Sequence, residues 1–431
     1  MSEENKTPKE NNGKKSAGQV FLEELAPKPA THLPAWRRIL QSLAVPVLAI
    51  FSGLVLGGLI IALTTESVYA AWQQSPLEGL KAAWDSIAVA YSALFTGAFG
   101  DPAKIVEALQ SGDDMAIRRA FNPFFESLVA STPYIFGGLS VALGFRAGLF
   151  NIGAEGQIFV GAIFSAYIGY SITGLPSFIH MPLAFLAGAL GGAVWGFIPG
   201  FLKAKTGGHE VINTIMMNYI AFRLSDWLLS GPMKRPDSFN PVSPTIQDSA
   251  KLYRFFDDPI RFHLGFFIAL LVAWFVYWFL FKTKWGFDFR TVGINPHAAR
   301  YAGMSVVVVT VAAMAFSGAL AGLAGANEVL GLNHNLAMAF SSGYGFDAIA
   351  LALLGNSHPA GVVLASLLFG TLRNGATRMQ LVADIPIDII SILQALILAF
   401  IAAPAIIRTI YRLKAPADGE EGIFAVTWGG N

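Results

Sequence analysis

The sequence predicts an all-α, polytopic membrane protein, and three observations carry that prediction. Of 431 residues, 54% are hydrophobic and only 13% charged, whereas an ordinary soluble domain is about 25% charged. The apolar residues gather in windows of about 20, the length a helix needs to cross a hydrocarbon core about 30 Å thick. Glycine (44) and phenylalanine (34) are both abundant, as suits helices that cross closely and anchor in a bilayer. Lys+Arg 29 against Asp+Glu 28 leaves a net charge of +1, so there is no broad basic field to favour nucleic acid. With no cysteine, disulfides, thiolate catalysis and cysteine metal sites are excluded.

Residues 1–38 are polar, mixed in charge and free of any apolar run, and are expected to form a flexible tail. The first apolar stretch begins only at Ile39, behind Trp36, Arg37 and Arg38, so it reads as an uncleaved anchor. Further windows cover 123–145, 149–173, 181–201, 210–230, 262–281, 304–326 and 386–408. Between the last two, GFDAIALALLG and AGVVLASLLFG form a pair of short arms over 346–371, separated by Asn356, Ser357, His358 and Pro359. Backbone broken at membrane depth is tolerated only inside protein or beside a wet cavity, so this pair belongs to the bundle interior. The expected total is about ten transmembrane helices, or eight plus a re-entrant hairpin.

Basic residues set the direction. Seven lie in the tail to residue 38, two in 202–209, four in 282–303 and three between Arg408 and Lys414, which makes those segments cytoplasmic. The 327–345 loop has none, and 64–121 has four against seven acids, so both are expected outside. Both termini then lie in the cytoplasm, 412–431 as a second tail. Within 64–121, the apolar piece Ile87 to Phe99 is too short to span and reads as an interfacial helix. FLAGALGGAVWGFIPG followed by GHEVINTIMMNY is echoed by AFSGALAGLAGANEVLG followed by GFDAIALALLGN, and the expected topology runs the copies in opposite directions. That is an inverted internal repeat, the mark of transporters whose pathway lies between halves.

The chemistry of the chain concentrates in two places. RAGLFNIGAEGQ, Arg146 to Gln157, packs Gly148, Asn151, Gly153 and Gly156 beside Glu155 and Gln157. Polar groups at such depth usually face a cavity or a partner. The segment is either a broken helix lining a polar route or a loop in which Arg146 and Glu155 pair. On the 210–230 window, Asn213 and Asn218 either contact a hydroxylated or heterocyclic solute or join helices by hydrogen bonds, while Arg223 and Asp226, three apart, are expected to pair. Substrate-pathway candidates are therefore Asn151, Glu155, Gln157, Asn213 and Asn218. The second place is the 282–303 loop, where Asn295 as N-cap and Pro296 at the first helical position announce a short helix. His297, Ala298, Arg300 and Tyr301 on it suit docking by another protein. No HExxH or GxxxxGK[ST] occurs, so neither a metal site nor an ATP site is expected, and no catalytic residue is assigned. An ion-coupled secondary transporter using Glu155, Asp347 or Asp388 is the competing reading.

RAGLFNIGAEGQ, HEVINTIMMNYIA, SGPMK, NEVLGLN and SGYGFDAIALALLGNSHPAGVVLASLLFG, in this order from about residue 40 to 411, resemble the permease subunits of bacterial ABC importers of the branched-chain amino acid and simple-sugar type. The similarity is greatest to nucleoside importers that work with a basic-membrane-protein type binding lipoprotein. The resemblance implies a permease domain over 39–411 in the bacterial cell membrane, carrying nucleosides or a simple sugar such as ribose. It implies that NPHAARYAGM is the coupling helix seated on a cytoplasmic ATP-binding subunit. A second, identical or different permease and an external substrate-binding lipoprotein complete the assembly it implies. The permease itself would hold no cofactor, ATP being bound by the partner.

Overall fold

The structure, a computed structural model, describes residues 35–236 and 238–413. The expected tails, 1–38 for all but its last four residues and 412–431 beyond Leu413, lie outside them. Packing divides the chain into a unit ending at Val47, described only as the opening of the first helix, and a unit from Leu48 onward. Among the described residues the regular structure is helical apart from two isolated bridges, Val242 with Ala337 and Arg254 with His263.

Helix α1 spans Ala35–Thr64. The 64–121 stretch holds three helices and the start of a fourth: α2 (Glu66–Gln74), α3 (Pro76–Phe99), α4 (Pro102–Ser111) and α5 (Asp114–Arg146). The apolar piece Ile87 to Phe99 is thus the second half of a 24-residue helix, started by the Ser75 hydroxyl accepting from Glu78 N. That half is bound into the bundle. Tyr91 Oη donates to the Leu54 carbonyl on α1, and Ser86 Oγ lies 3.1 Å from Thr65 Oγ1. Helix α5 begins where Asp113 caps Met115 and Ala116 and continues through Pro123 and Pro133, so it is longer than its apolar core.

After a break come α6 (Ala154–Ser171), α7 (Ser177–Thr206) and α8 (Glu210–Ser230). Helix α9 (Gly265–Lys282) is followed by α10 (Lys284–Ile294), α11 (Pro296–Tyr301) and α12 (Val306–Asn327), the last running into a π-helical turn, Glu328–Asn333. The last helices among the described residues are α13 (Tyr344–Leu354), α14 (Pro359–Ala383), α15 (Ile387–Ala402) and α16 (Pro404–Ile410). Among the described residues, five segments are long and apolar enough to cross a membrane: Val47–Thr64, Asp114–Arg146, Ser177–Thr206, Gly265–Lys282 and Val306–Asn333. Two of the other expected spans carry buried polar residues, Glu155 and Gln157 on α6 and Asn218 on α8.

The helices carrying the echoed sequence, α7 and α12, run antiparallel in direct contact. Gly188 meets Gly322 and Ala326, Gly192 meets Gly318, and Gly196 meets Met314. A Cβ at Gly192 would overlap the Gly318 carbonyl oxygen, and one at Gly318 that of Gly192. Small residues every fourth position let backbones approach this closely, which is how helices gain packing energy where lipid supplies no hydrophobic drive. Helix α6 joins the pair through Gly161 against Gly322. Outward, α7 presents Phe178, Leu186 and Leu190, and α9 presents Leu271 and Trp274, all exposed. An apolar surface on this scale belongs against hydrocarbon.

Candidate functional site

The RAGLFNIGAEGQ segment is a break between α5 and α6. Gly148 adopts a left-handed φ of 69°, and Leu149 N donates back to the Gly144 carbonyl at 2.9 Å, closing the end of α5. Glycine suits that end because the left-handed conformation strains a Cβ. The chain then runs non-helically to Gly153, and α6 starts within the protein.

Four of the five pathway candidates converge on this break. Asn151 Nδ2 donates to Gln157 Oε1 and to Ser317 Oγ, each at 2.8 Å, while Asn151 Oδ1 accepts from Gly153 N at 3.0 Å. Ser317 Oγ donates onward to the Ser140 carbonyl at 2.7 Å. From α8, Asn218 Oδ1 accepts from Gly156 N at 2.8 Å and Nδ2 donates to the Ile152 carbonyl at 2.9 Å. Glu155 Oε2 accepts from Gly345 N at 2.6 Å, so the first turn of α6 caps the first turn of α13. All four side chains are buried. Unpaired backbone groups at this depth are expensive, and these amides and the carboxylate satisfy them. Asn213, one turn into α8, is half-buried, and its side chain joins none of these bonds.

Arg146 and Glu155 do not pair. Arg146 instead donates from Nε to the Ser357 carbonyl at 3.0 Å and from Nη2 to the Asn356 carbonyl at 3.1 Å, clasping the turn between α13 and α14. Its guanidinium also lies 5.7 Å from the Phe281 ring centroid, which Arg290 approaches to 5.2 Å. Arg223 and Asp226 do pair, at 3.4 Å and exposed.

The sequence reading missed Tyr134, Ser140 and Ser317. Tyr134 Oη donates to Asp347 Oδ2 at 3.0 Å, and its ring meets Tyr344 edge-on with centroids 5.1 Å apart. Hydroxyls in apolar helices carry no local sign that separates such roles from packing. Among the described residues, no cluster of three or more His, Cys, Asp or Glu is arranged to hold a metal.

At the end of the bundle where Arg146 lies, the predicted short helix is α11. Asn295 Oδ1 accepts from His297 N and Ala298 N, both at 3.0 Å, and Pro296 occupies the first helical position. Ala299 is fully buried against the bundle, while His297, Ala298, Arg300 and Tyr301 are exposed, Tyr301 at 95%. The preceding helix ties α11 to the break. Gly293 of α10 sits against Arg146 to Gly148, so closely that a Cβ on Gly148 would lie 2.8 Å from the Gly293 carbonyl oxygen.

The family described as branched-chain amino acid transport system / permease component matches residues 124–415, a stretch that contains both the break and α11. The chain is similar to the guanosine ABC transporter permease protein NupP of Bacillus subtilis, with 40% identity covering 86% of this chain and 95% of that protein. It is 31% identical to the nucleoside ABC transporter permease protein NupB of Lactococcus lactis subsp. cremoris, covering 85% and 93%. It is also 31% identical to the glucose ABC transporter permease protein TsgB13 of Haloferax volcanii, covering 93% and 98%. No solved structure matches. Family and apolar helices together make this a multi-pass membrane component of a transport system rather than an enzyme. The chain belongs to the branched-chain amino acid transport system / permease component family.

Proposed function

We propose that this chain is the permease subunit of an ATP-driven importer of nucleosides and forms half of the translocation pathway, a second permease supplying the rest. Identity of 40% to a guanosine permease along 95% of that protein's length carries the choice of solute, against 31% to a glucose permease. The end of the bundle bearing Arg146, Lys203, Lys205 and α11 is cytoplasmic by its basic residues, with both termini on that side. ATP is bound by a partner subunit that seats on Asn295, Pro296, His297, Ala298, Arg300 and Tyr301, and an external binding lipoprotein delivers the solute at the opposite end. The permease holds neither cofactor nor metal.

Closure of the ATP-binding partners moves α11, and the Gly293 to Gly148 contact carries the motion into the break. Asn151, Glu155, Gln157 and Asn218 border the route and keep its broken backbone satisfied, while Asn213, whose amide forms no hydrogen bond among the described residues, is placed to meet solute. The test is uptake of labelled guanosine, uridine, ribose and glucose into proteoliposomes holding the permease pair, ATPase and lipoprotein. Nucleoside uptake that stops without ATP and survives a protonophore is the expected result. Uptake independent of ATP and abolished by the protonophore would overturn it in favour of ion coupling, and sugar uptake without nucleoside uptake would overturn the choice of solute.

A further inference from the structure

Two charged side chains stand deep in the bundle and take no part in the helix break. Asp347, in the first turn of α13, is half-buried; Oδ2 accepts from Tyr134 Oη at 3.0 Å, and Oδ1 has no hydrogen-bond partner among the described residues. Arg373 on α14 is also half-buried and lies within electrostatic reach of both Asp347 and Tyr134. Among the described residues it forms no ion pair or hydrogen bond.

Their depth follows from the helices. Tyr134 precedes Arg146 on α5 by 12 residues, about 18 Å of helix. Asp347 precedes the Ser357 carbonyl, which Arg146 binds, by 10 residues, about 15 Å. Both estimates put Tyr134 and Asp347 near the middle of a core about 30 Å thick. Charged groups that remain partly open at that depth face water or a partner, not hydrocarbon.

The surroundings restrict what they can bind. A carboxylate with a free oxygen accepts hydroxyl hydrogens, a guanidinium donates, and the half-buried Tyr344 ring, which meets Tyr134 edge-on, offers a flat apolar face. The Arg373 guanidinium offsets part of the negative charge that Asp347 and the neighbouring Glu155 bring, so a solute without negative charge suits the site. A solute with adjacent hydroxyls and a planar ring uses every group present.

We propose that Asp347, oriented by Tyr134, is a solute-binding station midway along the pathway, accepting hydrogen bonds from the ribosyl hydroxyls of a nucleoside in transit. The station rests on the nucleoside reading above. An acid in the first turn of a helix also complements the helix dipole, so the test must separate binding from helix support.

The experiment compares guanosine with 2′,3′-dideoxyguanosine in proteoliposomes containing the complete importer. Asp347→Asn is expected to slow guanosine uptake about tenfold, the loss of one charge-assisted hydrogen bond, while dideoxyguanosine uptake changes less than about twofold. Helix support alone would slow both equally, and that result overturns the station. Should Asp347→Asn fail to assemble, Tyr134→Phe, which removes one oxygen, must still slow guanosine selectively, and equal slowing overturns the proposal there too. Because the chain has no cysteine, Asp347→Cys gives a second reading: a membrane-impermeant thiosulfonate should label it during turnover, more slowly with saturating guanosine. Absence of labelling sinks the station. A wild-type importer that moves guanosine while Asp347→Asn moves it at full rate defeats the station alone. If the wild type moves no nucleoside, the proposed function fails and the station with it.

Discussion

The Asn218 side chain uses both ends of its amide, one on Gly156 N and one on the Ile152 carbonyl, and so spans the break from the neighbouring helix. Asn218→Ala would leave a buried donor and a buried acceptor without partners, a loss of about 1–3 kcal/mol. The expected outcome is a clear fall in Tm in detergent, whereas Asn213→Ala, which breaks no side-chain bond, leaves Tm nearly unchanged. His334 follows the last residue of the π-helical turn and lies outside the spans. Burial, with the Lys251 and Arg254 charges beside it, pushes its pKa down to about 4, against the opposing pull of the nearby Asp248 and of a backbone hydrogen bond with Leu330. Arg254 Nη2 is 3.1 Å from His334 Nε2 and donates to it, which requires the neutral ring. The unfolded chain takes up the proton near pH 6.5, so between about 6.5 and 4 it binds more protons than the folded protein. Stability is whole above that window and declines as pH falls through it. Tm should therefore drop more steeply over this range in the wild type than in His334→Gln, and equal slopes would refute the assignment.

Helices differ in how far the sequence reveals them. The 181–201 and 210–230 windows fall within α7 and α8, and all but the first two or three residues of the 262–281 and 304–326 windows fall within α9 and α12, because uninterrupted apolar runs and their basic or glycine ends are local signals. Helix α5 was harder. Its polar first turns, Asp114 to Phe121, read as part of the external 64–121 stretch, yet Asp113 caps the helix there and it continues through Pro123 and Pro133. The 346–371 pair was legible as two arms at a turn, but not the depth at which the first begins. With 11 residues, α13 is about 16 Å long, and its first turn meets Glu155, 190 residues away in sequence. The candidate site divides in the same way. Asn151 and Gln157, six apart, were readable as one feature, whereas the Ser140 to Ser317 contact joins residues 177 apart and leaves no sequence trace. Two element-scale predictions follow from the packing. Gly192→Leu should abolish recovery of monodisperse protein by size-exclusion chromatography, since its side chain would enter the α12 backbone, while Leu190→Ala, two residues away and exposed, should not. Asn295→Ala removes both cap bonds of α11, worth about 0.5–2 kcal/mol to that helix. It should lower the amount of ATPase that co-purifies without lowering the yield of the permease.

Across the whole molecule, the fold shows which elements share an end of the bundle, and the basic residues propose which side that end faces. Arg146, Lys203, Lys205, Lys282, Lys284 and Arg290 gather at one end, and the α13 to α14 turn is held at that same end by Arg146. If basic residues mark the cytoplasm, both α11 and this turn face inward, and α13 with α14 returns the chain to the opposite side. The absence of native cysteine makes this measurable with single thiols. Tyr301→Cys on α11, Ala360→Cys at the start of α14 and Phe239→Cys in the loop after α8 all replace exposed residues. In intact cells an impermeant maleimide should label only Phe239→Cys. In inverted vesicles stripped of ATPase it should label Tyr301→Cys and Ala360→Cys and leave Phe239→Cys unmodified. Labelling of Tyr301→Cys from outside would reverse the whole orientation and remove α11 as the seat of the ATPase. Labelling of Ala360→Cys from outside, with Tyr301→Cys still inside, would preserve that seat and show instead that the paired arms turn back without reaching the inner face.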